Sequence, residues 1–284
     1  MLSDKEVQTI ELHAESIRET ILEMLVAAGS GHTAGPLGMA DIFAALYFNI
    51  LKHDPKNPNW DERDRLFLSN GHIVPVRYAA MARAGYFPVA ECLTLRKFGS
   101  RLQGHPERLR LPGLESTSGP LGSGLSQAAG YAYGARMDKK KFQVYCALSD
   151  GEHDAGNIWE AAMFAGNNKL SNLTAIIDRN NIQITGMTEQ IMPLEGLRAK
   201  YEAFNWHVIE VDGHNIAEFI AAVSQAKAIY EKPTVIIAHT IPGKGIKEIE
   251  FDYTWHGKPP KKEEAEKFLH ELRTLRGKIK SEHQ

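Results

Sequence analysis

Cysteine is nearly absent from this 284-residue chain. Cys92 and Cys146 stand far apart and share no metal-ligand spacing, so a disulfide framework and a CxxC redox site are both excluded. Two free thiols fit a reducing compartment, and the expected location is the cytoplasm. No stretch approaches the ~18 uninterrupted apolar residues of a membrane-spanning helix, and Asp4 and Glu6 stand where a secretory leader would be basic. A net charge of −2 supplies no general field for nucleic acid or an anionic membrane surface, so neither is an expected partner. The one basic run, Lys139-Lys140-Lys141, reads as a solvated turn ahead of a strand. No internal repeat, low-complexity tract or Ser/Pro-rich linker divides the chain, and 43% apolar content is ordinary for a globular core.

What is present is alternation. Helical periodicity covers residues 7–27, 37–51, 73–84, 125–137, 158–167, 216–230 and 263–275. Short, apolar, β-branched runs at 66–68, 142–148, 173–177, 207–211 and 234–238 read as strands. Strands alternating with helices predict an α/β fold: a doubly wound, mainly parallel sheet with helices on both faces. We expect a single domain over 1–284, with the highly charged segment 261–284 as a surface or partner-contacting tail.

In such sheets ligands bind outside the carboxyl ends of the strands. The run 142–148 leads into Ser149-Asp150-Gly151-Glu152, and the run 173–177 into Asp178-Arg179-Asn180-Asn181. A carboxylate at Asp150 and an amide oxygen at Asn180 are hard donors that suit Mg²⁺, an ion that keeps positions open for phosphate oxygens. The competing explanation is local: Asp150 caps a helix while Asn180 and Asn181 make a turn. Gly119, Gly122 and Gly124 precede the helix from 125, where exposed backbone N–H groups can meet a polar or negative ligand. A plain turn and helix start explains those glycines equally well. His32, His72, His105 and His256 each adjoin glycine, as expected where an imidazole projects from a loop, although a lone histidine is more often structural. His153, His214 and His239 are read as structural. Gly243-Lys244-Gly245 lacks the Walker spacing of a phosphate loop. Trp159, Met163 and Phe164 are expected to pack a helix against the sheet.

The motifs come in an order of their own. Ser30-Gly31-His32, Ser69-Asn70-Gly71-His72, Gly104-His105-Pro106-Glu107, Ser118-Gly119-Pro120-Leu121-Gly122-Ser123-Gly124, Ser149-Asp150-Gly151-Glu152 and Asp178-Arg179-Asn180 follow one another as in transketolases. From about residue 12 to residue 256 the chain resembles the N-terminal, thiamine-diphosphate-binding part of that family. The resemblance implies thiamine diphosphate held through Mg²⁺, with Ca²⁺ or Mn²⁺ as substitutes, and Asp150, Asn180 and the Ile182 carbonyl as the metal ligands. It implies cofactor contacts at His72, Gly119, Pro120, Leu121, Gly151, Glu152, Asn180, Ile182 and His256. His32, His105 and His256 take catalytic roles, donating hydrogen bonds and relaying protons as charge develops on a cleaved ketose. The implied reaction carries a two-carbon ketol unit from a ketose phosphate, xylulose 5-phosphate first, to an aldose phosphate.

There are departures. Aligned on Gly156, Ala155 stands where transketolases usually carry Glu, so an acidic relay between active sites must run through Asp154 or Glu160 or be absent. Thr33-Ala34-Gly35 replaces the usual Pro-Gly-Ala, and Ser149 the first glycine of Gly-Asp-Gly. The pyrimidine-binding and third domains of a full transketolase have no counterpart here. The implied partner is therefore a separate C-terminal transketolase subunit, with two of each chain rebuilding the family's dimer around sugar phosphate substrates. Alternatives are a deoxyxylulose-phosphate-synthase-like subunit, a transketolase for non-phosphorylated sugars, a non-catalytic regulatory subunit that keeps the fold, and a metal-dependent phosphohydrolase.

Overall fold

All five apolar runs become strands of one parallel sheet. The computed structural model describes residues 2–274; residues 275–284, the end of the expected tail, lie outside the described residues. In chain order the elements are α1 (Asp4–Ala28), α2 (Ala34–Gly38), α3 (Ala40–Ala45), β1 (Arg65–Leu68), α4 (Val74–Arg83), α5 (Ser123–Met137), β2 (Val144–Ser149), α6 (Gly156–Asn167), β3 (Leu173–Arg179), β4 (Ile182–Gln183), β5 (Gly186–Met187), α7 (Thr188–Ile191), α8 (Leu197–Ala203), β6 (His207–Asp212), α9 (Ile216–Ala228), β7 (Thr234–His239) and α10 (Lys262–Thr274). The sheet order is β1-β2-β3-β7-β6, all parallel, and β4 and β5 form a small antiparallel hairpin.

The inner strands β2, β3 and β7 read as nearly unbroken apolar runs because both sheet faces are covered there, whereas the edge strand β6 alternates. Tyr145, Ala147, Ile176 and Ile236 face a core built with α1, α3, α4, α9 and α10. Val144, Cys146, Ala175 and Ile237 face the other way, toward α5, α6 and α8. The doubly wound expectation is met by this alternation.

Local signals explain the helix ends. Ser3 and Glu6 form a reciprocal capping box at the start of α1, and Gly29 closes it in the left-handed conformation. The single helix expected at 37–51 is instead α2, α3 and a π turn over Leu46–Ile50. It breaks at Met39, next to Gly38, where a Cβ would stand 2.9 Å from the Ile241 carbonyl, so the backbone there lies close against the loop after β7. The charged segment from 261 forms α10, whose Ala265, Phe268 and Leu272 are buried, with Phe268 packed edge-on to Trp255. Met163 and Phe164 do not pack against the sheet: they are 56% and 42% exposed on the outer side of α6. Trp159 turns inward, between His153 and Tyr201.

Candidate functional site

Strand register brings the chemistry to one edge of the sheet. Ser149 pairs with Asp178, so Asp150 and the Arg179-Asn180 turn leave neighbouring strands side by side. After β1 the chain makes a tight turn at Gly71–Ile73 that carries His72, and Pro75 starts α4. The Thr33 hydroxyl donates to the Lys258 carbonyl at 2.6 Å, which ties the loop of His32 to the loop of His256. Gly71 is required beneath His105, since a Cβ there would stand 2.3 Å from Ser118 Oγ.

These loops enclose a cavity of about 360 Å³, within the range of small-molecule sites. His32, His72, His105 and His256 all border it, and the rings of His32, His72 and His256 lie 4.8 to 5.5 Å apart, centroid to centroid. Burial, and then His256, Arg96 and His105, pushes the His32 imidazole down to about 4. Burial also lowers His72, with its imidazole neighbours adding to it, and lowers His105 and His256. At neutral pH the four rings are uncharged, each able to donate one N–H and accept at the other nitrogen. His32 borders the cavity with its Nδ1 buried and without a protein partner. Buried polar atoms of this kind are normally satisfied, so the cavity's wall is built to meet polar groups of a ligand.

Among the other expected contacts, Gly119, Leu121, Gly151, Asn180 and Ile182 border the cavity. Pro120 does not; its carbonyl accepts from the Ser123 hydroxyl at 2.7 Å and shapes the turn into α5. Glu152 borders the cavity, but its carboxylate faces protein. One oxygen accepts from the Ser69 hydroxyl and from Gly122 N at 3.0 Å, the other from Ser149 N at 2.9 Å and Ser149 Oγ at 3.3 Å. Its side chain therefore holds the glycine loop onto the ends of β1 and β2. Gly122 must be glycine: φ is +83° and a Cβ would stand 2.0 Å from Asn157 Oδ1.

Asp150 is fully buried beneath the cavity. Its Oδ1 accepts from Gly151 N at 2.7 Å, while Oδ2 accepts from Asn181 N at 2.7 Å and Arg179 Nη1 at 3.1 Å. The local reading is thus also correct, since Asp150 caps the short turn after β2 and Asn181, at φ +63°, makes a left-handed turn. Burial pushes the Asp150 carboxyl up to about 6 against the pull of Arg179 and the N–H groups. Burial, and then Asp150 itself, pushes Asp178 up to about 7, although the Thr240 hydroxyl and Asn180 Nδ2 both donate to it. Among the described residues no group of three His, Cys, Asp or Glu side chains could cage a metal. The donors at hand are a carboxylate and an amide oxygen, with the Ile182 backbone beside them, which suits a hard cation completed by ligand oxygens. Magnesium and a diphosphate fit this donor set.

The bordering residues not expected as site residues are Gly35, Ser149, Gln183 and Ile184, the last two in the hairpin after β3. His153 and His214 are buried and structural. The first bonds Ser149 O and Tyr201 OH at 2.8 Å, and the second stands 2.7 Å from Asp41 Oδ2 and accepts from Ile241 N at 2.7 Å. His239 forms a surface pair with Glu210. Of the carboxylates near Ala155, Asp154 and Glu160 are both exposed.

The cavity lies at the carboxyl ends of a doubly wound parallel sheet, where such folds bind ligands, with the four imidazoles on its wall. The chain belongs to the transketolase family: the family's thiamine diphosphate binding domain matches residues 10–274. It is 46% identical to a 6-deoxy-6-sulfo-D-fructose transketolase subunit of Clostridium sp. strain MSTE9, over 86% of this chain and 88% of that one. It is 38% identical to an apulose-4-phosphate transketolase subunit of Phocaeicola vulgatus, over 98% of both. Rat transketolase is 41% identical over 94% of this chain, which spans only 42% of the rat protein. The crystal structure of Campylobacter jejuni transketolase superimposes with a TM-score of 0.88 at 33% identity, over 97% of this chain and 43% of that one. The chain thus corresponds to the N-terminal, thiamine-diphosphate-binding part of the longer transketolases, and it is a subunit of the transferase class.

Proposed function

We propose that this chain, joined by a separate pyrimidine-binding subunit, transfers a two-carbon ketol unit from a ketose with an anionic far end to an aldose phosphate. The observation that carries it is the convergence of four uncharged imidazoles over the Asp150–Asn180 oxygen pair. Thiamine diphosphate, when bound, supplies the carbanion chemistry. Asp150, Asn180 and the Ile182 carbonyl would hold Mg²⁺, or Ca²⁺ or Mn²⁺ in its place, and His72 and Gly151 would face the diphosphate. Gly119, Pro120 and Leu121 would shape the loop against the cofactor rings. His32, His105 and His256, neutral at working pH, would donate hydrogen bonds where negative charge develops on the ketose oxygen and pass its protons.

Xylulose 5-phosphate, 6-deoxy-6-sulfofructose and apulose 4-phosphate share a ketose head and an anionic tail, and the second and third occur in the names of relatives matched over most of their length. The need for a second chain is supported by relatives that are themselves named as subunits, and by Met163 and Phe164, apolar and exposed on α6. Two of each chain would rebuild the family's dimer, and the buried free thiols of Cys92 and Cys146 fit a cytoplasmic setting.

The test is ketol transfer to ribose 5-phosphate from each of the three donors. It uses the tagged chain by itself and the complex it captures from its native cells, with Mg²⁺ and thiamine diphosphate present or omitted. Turnover that needs both and occurs only in the complex is expected; a complex that transfers no ketol unit from any donor would refute the proposal.

A further inference from the structure

Arg179 ends β3 with its side chain 2% exposed and its guanidinium shared among four acceptors. Nη1 donates to Asp150 Oδ2 at 3.1 Å and to Thr188 Oγ1 at 3.0 Å, and Nη2 donates to Glu189 at 2.7 Å and Glu195 at 2.8 Å. The two glutamates pin the far side of the fork, so the near side cannot swing away from Asp150.

The consequence lies in the lone pairs. Asp150 Oδ2 accepts twice, from Arg179 and from Asn181 N, and is filled. Oδ1 accepts once, from Gly151 N, and Asn180 Oδ1 accepts once, from Ile182 N at 3.0 Å. Each side chain therefore has room to give a cation one oxygen. Mg²⁺, small and octahedral, is content with single oxygens from carboxylates, whereas Ca²⁺ takes six to eight oxygens and gains from a bidentate carboxylate.

We propose that Arg179 is a specificity-determining residue of the cation site: by filling Oδ2 it confines Asp150 to one-oxygen coordination and so favours Mg²⁺ over Ca²⁺. This rests on the assignment of Asp150 and Asn180 as cation ligands. Arg179 touches neither cofactor nor substrate in this role and acts through Asp150.

The experiment is a pair of calorimetric titrations, Mg²⁺ and Ca²⁺, into the assembled complex with thiamine diphosphate present, for the wild type and Arg179→Met. The ratio of the two Kd values is the readout, because removing a positive charge tightens both cations and cancels in the ratio. One further oxygen contact to the ion is worth at least an ordinary net hydrogen bond, so the preference for Mg²⁺ should narrow by about fivefold or more. Arg179→Lys keeps the charge but cannot span Asp150 and both glutamates, and should narrow it less, in the same direction. It decides the matter should the Met variant not fold. An unchanged ratio in the variant that folds overturns the proposal while leaving the cation site intact. A wild type that binds neither cation removes the ligand assignment, and the selectivity role with it.

Discussion

Replacing Glu152 by Gln separates two roles that sequence resemblance and geometry assign to one carboxylate. In the structure both of its oxygens meet backbone donors, Gly122 N at 3.0 Å and Ser149 N at 2.9 Å, and each also accepts from a serine hydroxyl. A serine hydroxyl can rotate and accept from an amide, but a backbone N–H cannot. Whichever way the Gln amide is turned, its NH₂ faces one of the two N–H groups and strands it. A stranded buried donor costs about 1–3 kcal/mol, and loss of the charge weakens the remaining bonds. Burial raises the Glu152 carboxyl, so removing its charge recovers part of that. The net expectation is a loss of about 2 kcal/mol in urea unfolding of the chain. Because Gly122 N is one of the two donors, the 119–124 loop should loosen and cofactor affinity fall with stability. Ser69→Ala removes the hydroxyl that donates to Glu152 and accepts from Gly124 N at 3.1 Å, so the two substitutions should be less than additive. Unfolding unchanged within about 0.5 kcal/mol, together with a large loss of cofactor affinity, would refute this reasoning and make Glu152 a direct cofactor contact.

Asp41 sits fully inside, bonded twice by Arg18 and once by His214; burial raises its carboxyl, but Arg18 and His214 outweigh this and hold it at about 2. Asp41→Asn should cost about 3–5 kcal/mol in urea unfolding at pH 7, and the wild-type contribution should vanish as pH falls from about 3.8 to about 2. His32 has the same sign for a different reason: burial disfavours its charged form, so the unfolded chain takes the proton first and stability falls as pH drops from 6.5 toward about 4. His32→Asn should flatten part of that slope. Asp150→Asn should abolish the rise in melting temperature that thiamine diphosphate with Mg²⁺ is expected to produce, a rise equivalent to about 2.7 kcal/mol at a hundredfold excess over Kd. Phe164→Asp, on an exposed face, should change unfolding of the chain by under about 0.5 kcal/mol yet reduce assembly with the complementing subunit, read by light scattering.

The sheet was legible because burial on both faces turns a strand into a short apolar run, and residues such as Cys146, Ala175 and Ile236 carry no polar alternation to confuse it. The close approach at Gly38, beside the break at Met39, was not, because the Ile241 carbonyl is two hundred positions away in the chain and 2.9 Å from a Cβ that glycine lacks. Helix α8 is hidden for a different reason: of its residues only Leu197 and Tyr201 are buried, too few to print a helical period. Met163 and Phe164 show the converse error, since apolar spacing marks a face to be covered but does not say by what. At the site, glycine beside each histidine and the ordered motifs located the four imidazoles, whereas their lowered pKa values come first from the burial that only the fold supplies, with neighbouring imidazoles and Arg96 adding to it at some of them. The hydrogen-bond partners of Glu152 come from residues 69, 122 and 149, and those of Arg179 from 150 and 188–195. A carboxylate in a motif shows that a charge is needed there; only the fold shows how the protein occupies its oxygens, one acceptor place being left at Asp150 Oδ1 while both oxygens of Glu152 are taken up twice.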